Sequence, residues 1–130
     1  MDGNPKIVWT GRGLSILVSL PFLMSSVMKL VGHPEVAKGM KHLGLPESLI
    51  KPLGLLELSC AVIYLVPVTS VLGAVLLTGF IGGAILTHLR VGEAVYLHIA
   101  IGLSIWLGLY LREPRLRDLL PLRKRLERRA

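Results

Sequence analysis

Apolar residues in this chain fall into long blocks separated by short polar breaks. The blocks run from about Trp9 to Val31, Ser48 to Val66, Thr69 to Leu89 and Ala94 to Leu111. Each is close to the ~20 residues that a helix needs to cross ~30 Å of hydrocarbon. In lipid only helices and closed barrels satisfy their own backbone groups. The blocks lack the period of two that barrel strands show, so they are read as helices. The links Pro67–Val68 and Arg90–Glu93 are very short, which makes the last three spans antiparallel neighbours. The pattern predicts an all-α fold: a transmembrane four-helix up-down bundle over residues 1–112 and a basic juxtamembrane tail over residues 113–130. No internal repeat and no second domain is visible.

Prolines and glycines refine the spans. Pro21 sits in the middle of span one, where it removes a backbone donor and is expected to kink the helix. Ser15, Ser19, Ser25 and Ser26 lie close enough to satisfy the freed carbonyls. Pro52 falls in the first turn of span two, where proline is tolerated. The loop from Gly32 to Glu47 is the only one large enough to form a lid or a docking site. Within it Glu35–His42 is expected to form one or two interfacial turns, because Val36, Ala37 and Met40 fall on one side.

Composition strengthens the membrane reading. Of the 130 residues 52% are hydrophobic and 18% are charged, with a mean hydropathy of +0.65. The short polar N-terminus and the lack of a small-residue cleavage site predict that the first apolar run is retained as a span. Net charge is +7, and eight of the fifteen Lys and Arg lie after Leu111. Such clustering points to a membrane surface or an acidic partner, and no nucleic-acid motif accompanies it. With four spans both termini share a side. That side carries Lys6, Arg12 and the eight tail cations, against Lys29, Lys38, Lys41, Lys51 and Arg90 on the other. The excess predicts cytoplasmic termini. In the tail, Arg115, Arg117, Arg123, Lys124, Arg125, Arg128 and Arg129 are expected to face anionic head groups or a partner, while Leu116, Leu119, Leu120, Leu122 and Leu126 embed.

Chemistry must come from the few polar residues inside the spans. Each ionisable group there costs about 2.5–3.5 kcal/mol on insertion scales and needs a partner or a purpose. Glu57 is the deepest. Spacing of three and four places it on one face with Gly54, Cys60, Ala61 and Tyr64, which should point inward. Span one carries a matching stripe of Arg12, Ser15, Ser19, Phe22, Ser26 and Lys29. Lys29, Glu57, His88, Arg90 and His98 come from different spans but all map to the outer half of the membrane. They are expected to form a buried ion-pair network or an outward-opening polar pocket, with Tyr64 on the same face as Glu57. Arg90 is the first expected partner of Glu57 and Lys29 the second. Gly73, Gly79, Gly82 and Gly83 predict close helix packing, with Gly79 and Gly83 forming G-x-x-x-G. His88 and His98 on adjacent helices raise a haem reading that nothing else supports. No metal-binding spacing is present, and the single Cys60 excludes an internal disulfide or a Cys-x-x-Cys pair.

Several segments resemble a known family. They are Gly44-Leu45-Pro46, Leu53-Gly54-Leu55-Leu56-Glu57-Leu58, Tyr64-Leu65-Val66-Pro67, the glycine-rich run Leu72–Ala84 closing in Thr87-His88-Leu89-Arg90, and Trp106–Arg112. Together they resemble the DoxX-like family of small bacterial membrane proteins over nearly the whole chain except the tail. The resemblance implies a four-helix inner-membrane protein. The family is named from subunits of a membrane thiosulfate:quinone oxidoreductase, and other members are linked to thiol and oxidative-stress systems. It therefore implies either a redox-linked membrane subunit with a quinone among Glu57, Arg90, His88 and Tyr64, or a non-catalytic accessory subunit docking a larger membrane complex. The single Cys60 counts against autonomous thiol chemistry, because a dithiol relay needs two sulfurs.

Overall fold

The computed structural model describes residues 4–123 and is helical, with no strand among them. Five α-helices follow in order: α1 Pro5–Val31, α2 Pro34–His42, α3 Ile50–Leu65, α4 Ser70–Arg90 and α5 Tyr96–Arg112. Short 3-10 turns precede α3 and α4, and another, Pro114–Asp118, follows α5. The stretches Pro5–Val31, Glu47–Leu65 and Pro67–Arg90 are long and apolar enough to cross a membrane, and Tyr96–Arg112 is a shorter apolar helix.

The ends of the helices follow from local chemistry. Asn4 caps α1, its side chain accepting the Lys6 N–H at 3.0 Å. Gly32 ends α1 at φ 74°, a left-handed conformation that a β-carbon would strain. The His33 N–H then reaches back to the Met28 carbonyl at 3.0 Å. The His33 side chain in turn caps α2, accepting the Glu35 N–H at 3.2 Å. Helix α1 runs through Pro21 as one element. The expected interfacial turns at Glu35–His42 form α2, with Met40 buried.

Four helices pack in a ring. α1 packs on α3 and α5, and α4 packs on the same two. The inward faces are those the spacing of three and four gives: Ser15, Ser19, Phe22 and Ser26 on α1, and Gly54, Glu57, Cys60, Ala61 and Tyr64 on α3. Glycines set the closest approaches. A β-carbon on Gly11 would lie 2.5 Å from the Arg112 backbone nitrogen, and one on Gly108 would lie 2.8 Å from the Ser15 hydroxyl. One on Gly73 would collide with the backbone of Tyr64. Outside the ring the surface is apolar, as at Leu17 (63% exposed) and Leu103 (69% exposed). So much exposed aliphatic surface is unusual for a protein in water and ordinary for one in lipid.

The four glycines of α4 fall on different faces: Gly73 packs on α3, and Gly79, Gly82 and Gly83 meet no other helix of this chain. The buried face of α4 is Ser70, Gly73, Ala74, Leu77 and Ile81. Gly79 and Gly83 lie about 200° from Leu77 and Ile81 around the helix, so they turn outward. A β-carbon on Gly79, Gly82 or Gly83 would meet nothing within 4 Å.

Candidate functional site

The polar residues sort into two clusters at the loop end of the bundle and a third at the end bearing the chain termini.

The deepest cluster joins α1 to α3. Lys29 Nζ donates to Glu57 Oε2 at 2.6 Å and to Ser25 Oγ at 2.6 Å. Ser25 Oγ donates to the same carboxylate oxygen at 3.2 Å. Ser25 and Lys29 stand four residues apart, so one face of α1 presents both. Gly54, three residues before Glu57, lets the helices close: a β-carbon there would sit 2.8 Å from Lys29 Cβ. Glu57 is 3% exposed, and the Lys29 side chain is 15% exposed. Cys60 is buried one turn further along α3.

The cation on Glu57 is therefore Lys29, which corrects the first choice, Arg90. Arg90 is exposed at the end of α4, on the outward face it shares with Gly79 and Gly83. Its guanidinium donates instead to the Leu43 carbonyl, just after α2. Gly44 beside it adopts φ 71°. Arg90 thus ties α2 to the end of α4.

The second cluster centres on Glu93, in the short link between α4 and α5. Its carboxylate meets His42 Nε2 at 2.7 Å through Oε1 and His88 Nδ1 at 2.5 Å through Oε2. The hydrogen bonds with His88 and then His42 hold the Glu93 carboxyl below the usual carboxylate range. The His88 and His98 rings lie against each other, centroids 4.5 Å apart. No haem iron fits between them in that arrangement. His98 Nδ1 is buried without a hydrogen-bond partner among the described residues. Sequence reasoning missed Glu93 and His42. Their signal was the glycine-closed link: Gly92 at φ 78° turns Glu93 back over His88.

The third cluster surrounds Tyr64, which is fully buried. Its hydroxyl donates to the Ile105 carbonyl at 2.7 Å and lies 3.1 Å from the Ser15 hydroxyl. The Arg112 guanidinium stacks over its ring at 4.6 Å and donates to the Tyr64 carbonyl, which the end of α3 leaves free. Tyr64 thus lies toward the opposite end of α3 from the Lys29–Glu57 pair. The residues expected to share an ion-pair network or a polar pocket are divided: Lys29 and Glu57 pair, His88 meets Glu93 with His98 against its ring, and Arg90 and Tyr64 stand apart. Beside Arg112 a cavity of about 390 Å³ opens, lined also by Arg12 and Trp9.

The start of the tail joins the bundle. Leu116 is buried in the core cluster. Arg117, expected at head groups or a partner, folds back and donates to the carbonyls of Tyr110 at 3.0 Å and Leu111 at 2.6 Å, capping α5. Arg115 and Arg123 are exposed. Lys124, Arg125, Arg128 and Arg129 lie outside the described residues.

A family model matches residues 13–111, which takes in all four ring helices except the first turns of α1 and the last residue of α5. Searches among curated proteins and solved structures find no match. With the apolar ring helices and a match over most of its length, the chain belongs to the DoxX-like family, as a multi-pass membrane protein.

Proposed function

We propose that this protein is a non-catalytic, four-span accessory subunit that seats a larger complex in the bacterial inner membrane. The observation that carries this reading is the Lys29–Ser25–Glu57 triangle. The two deepest charges neutralise each other, and the shared serine occupies the same carboxylate oxygen. A catalytic acid needs a proton path or a substrate, whereas a closed pair fixes helix register. Helix α5 is the fourth span: its 17 residues are at the lower limit for crossing. With four spans and the cation excess, both termini are cytoplasmic. The outward stripe Gly79, Gly82 and Gly83 on α4 offers a partner's transmembrane helix a close approach, and the basic tail adds a surface for an acidic segment or head groups.

The second reading is a subunit of a quinone- or thiol-linked redox system. The observation on its side is the buried Cys60 thiol one turn from Glu57. One sulfur supports no internal dithiol relay, so this reading needs a partner's thiol or a bound quinone.

One tagged chain tests both. A C-terminal reporter should give a cytoplasmic signal. The same tag, pulled from mild detergent, should bring a membrane protein in fixed stoichiometry and no quinone, flavin or haem. Gly79→Leu with Gly83→Leu should lose the partner while the chain keeps its own melting temperature. Stoichiometric quinone, without any partner protein, would replace the accessory reading with the redox one.

A further inference from the structure

At the terminal end of the ring, the first turns of α1 and α4 meet the last turns of α3 and α5 around a cavity of about 390 Å³. Arg12 and Arg112 line it. Among the described residues neither guanidinium forms a salt bridge with a carboxylate. Glu113 lines the cavity too, but its Oε1 accepts the Arg115 backbone N–H at 3.3 Å. The lining thus carries two cations against one anion that already caps a turn. Arg112 Nε is buried and has no hydrogen-bond partner among the described residues. That nitrogen is closed off by the chain itself, so it is the charge of the lining, two cations against one capped anion, that calls for an anionic acceptor from outside the chain.

The rest of the lining tells what carries that acceptor. Ile16, Leu65 and Pro67 form an apolar wall, and Ile16 is 57% exposed on the flank of the bundle that faces lipid. Trp9 stands at the mouth, 67% exposed, with Arg12 over its ring at 4.9 Å. Tryptophan and arginine at this height mark the membrane–water interface. Polar donors above an apolar wall fit an amphiphile. A free anion would leave the wall unused.

We propose that this cavity binds the phosphate of an anionic phospholipid between the guanidinium groups of Arg12 and Arg112, with an acyl chain lying along Ile16 and Leu65. Guanidinium forks suit phosphate oxygens, and stacking on Tyr64 fixes the orientation of the Arg112 group. The site lies apart from the Lys29–Glu57 pair and needs only that the chain sit in a bilayer, so it stands whether or not the accessory reading holds.

The test is native mass spectrometry of the full chain in mild detergent, titrated with dioleoylphosphatidylglycerol, dioleoylphosphatidylcholine or inorganic phosphate. Phosphatidylglycerol should bind about tenfold more tightly than phosphatidylcholine, whose choline offsets the phosphate charge, and Arg12→Gln should weaken it about fivefold, the worth of one interfacial cation. Arg112→Gln also removes the contact with Tyr64, so Arg12→Gln, on an exposed residue, is the deciding variant, with an unchanged unfolding temperature as its control. Equal retention of the two lipids, or unaltered phosphatidylglycerol binding in Arg12→Gln, overturns the proposal. Inorganic phosphate displacing the lipid at equal concentration also overturns it, because the site would then read a free anion.

Discussion

The two ends of the bundle handle charge in opposite ways. At the loop end several charged or ionisable side chains meet a partner from another element: Lys29 on Glu57, His88 and His42 on Glu93, Arg90 on the Leu43 carbonyl. At the terminal end Arg12 and Arg112 stack on aromatic rings and Arg112 donates to the Tyr64 carbonyl, but neither meets a carboxylate within salt-bridge distance among the described residues. Charges that pair within the chain specify how helices fit. Charges that remain open specify what the surface meets. The loop end therefore reads as architecture, and the terminal end as a place where something else binds.

The comparison breaks most visibly if the buried pair is opened. Glu57→Gln strands the Lys29 ammonium among apolar helices, and removing one partner of a buried pair costs about 3 kcal/mol. Unfolding in micelles followed by circular dichroism should show that loss. Adding Lys29→Met should restore part of it, because the two changes share one interaction. Adding Arg90→Gln in place of Lys29→Met should restore none. If the rescue comes from Arg90, the pairing described here is wrong.

Glycine substitutions sharpen the contrast between the two faces of α4. Gly73→Ala drives a methyl into the Tyr64 backbone, and overpacking of this kind costs about 1–3 kcal/mol. Gly83→Ala meets open space and should leave the isolated chain within about 0.5 kcal/mol of the parent, as surface changes do. Equal losses at both positions in the same unfolding assay would place Gly83 inside the ring.

Much of this fold was legible in the chain because hydropathy blocks and helical spacing are local signals. The inward faces came out as the three- and four-residue spacing required from Ser15 to Ser26 on α1 and from Gly54 through Glu57 and Cys60 to Tyr64 on α3, whereas Arg12 is exposed. What failed was the rotation of α4. Its glycines looked like the packing face, but Gly73, Ala74, Leu77 and Ile81 form a competing stripe. Small residues alone do not say which stripe a neighbour takes. That error carried Arg90 inward with it and ranked it ahead of Lys29 as the partner of Glu57. Glu93, His42 and Arg112 were missed for another reason: each acts across a helix end, where turn geometry and free carbonyls decide the partner and periodicity is silent.

The smallest expected effect concerns the clamp at Glu93, which joins the end of α2 to the end of α4. His88 and then His42 hydrogen-bond its carboxylate and lower its affinity for a proton in the folded chain. A lowered carboxyl value means that the folded state binds fewer protons than the unfolded one. The clamp's contribution is then full above the ordinary glutamate range near ~4.3 and is lost only as pH falls through the lower, folded value. Helix α2 should thus stay seated through mild acid and loosen below the range in which a free glutamate titrates. Loosening should be partial, because the Arg90 guanidinium still holds the Leu43 carbonyl. The carbon-13 shift of the Glu93 carboxyl and the amide shifts of Val36–Met40 should move together along one acid titration. Glu93→Gln should remove the pH dependence and leave the α2 shifts near their acid values throughout. A Glu93 titration at or above the ordinary value, or α2 shifts indifferent to it, would mean that Arg90 alone seats α2 and that the histidine–carboxylate contacts carry no weight.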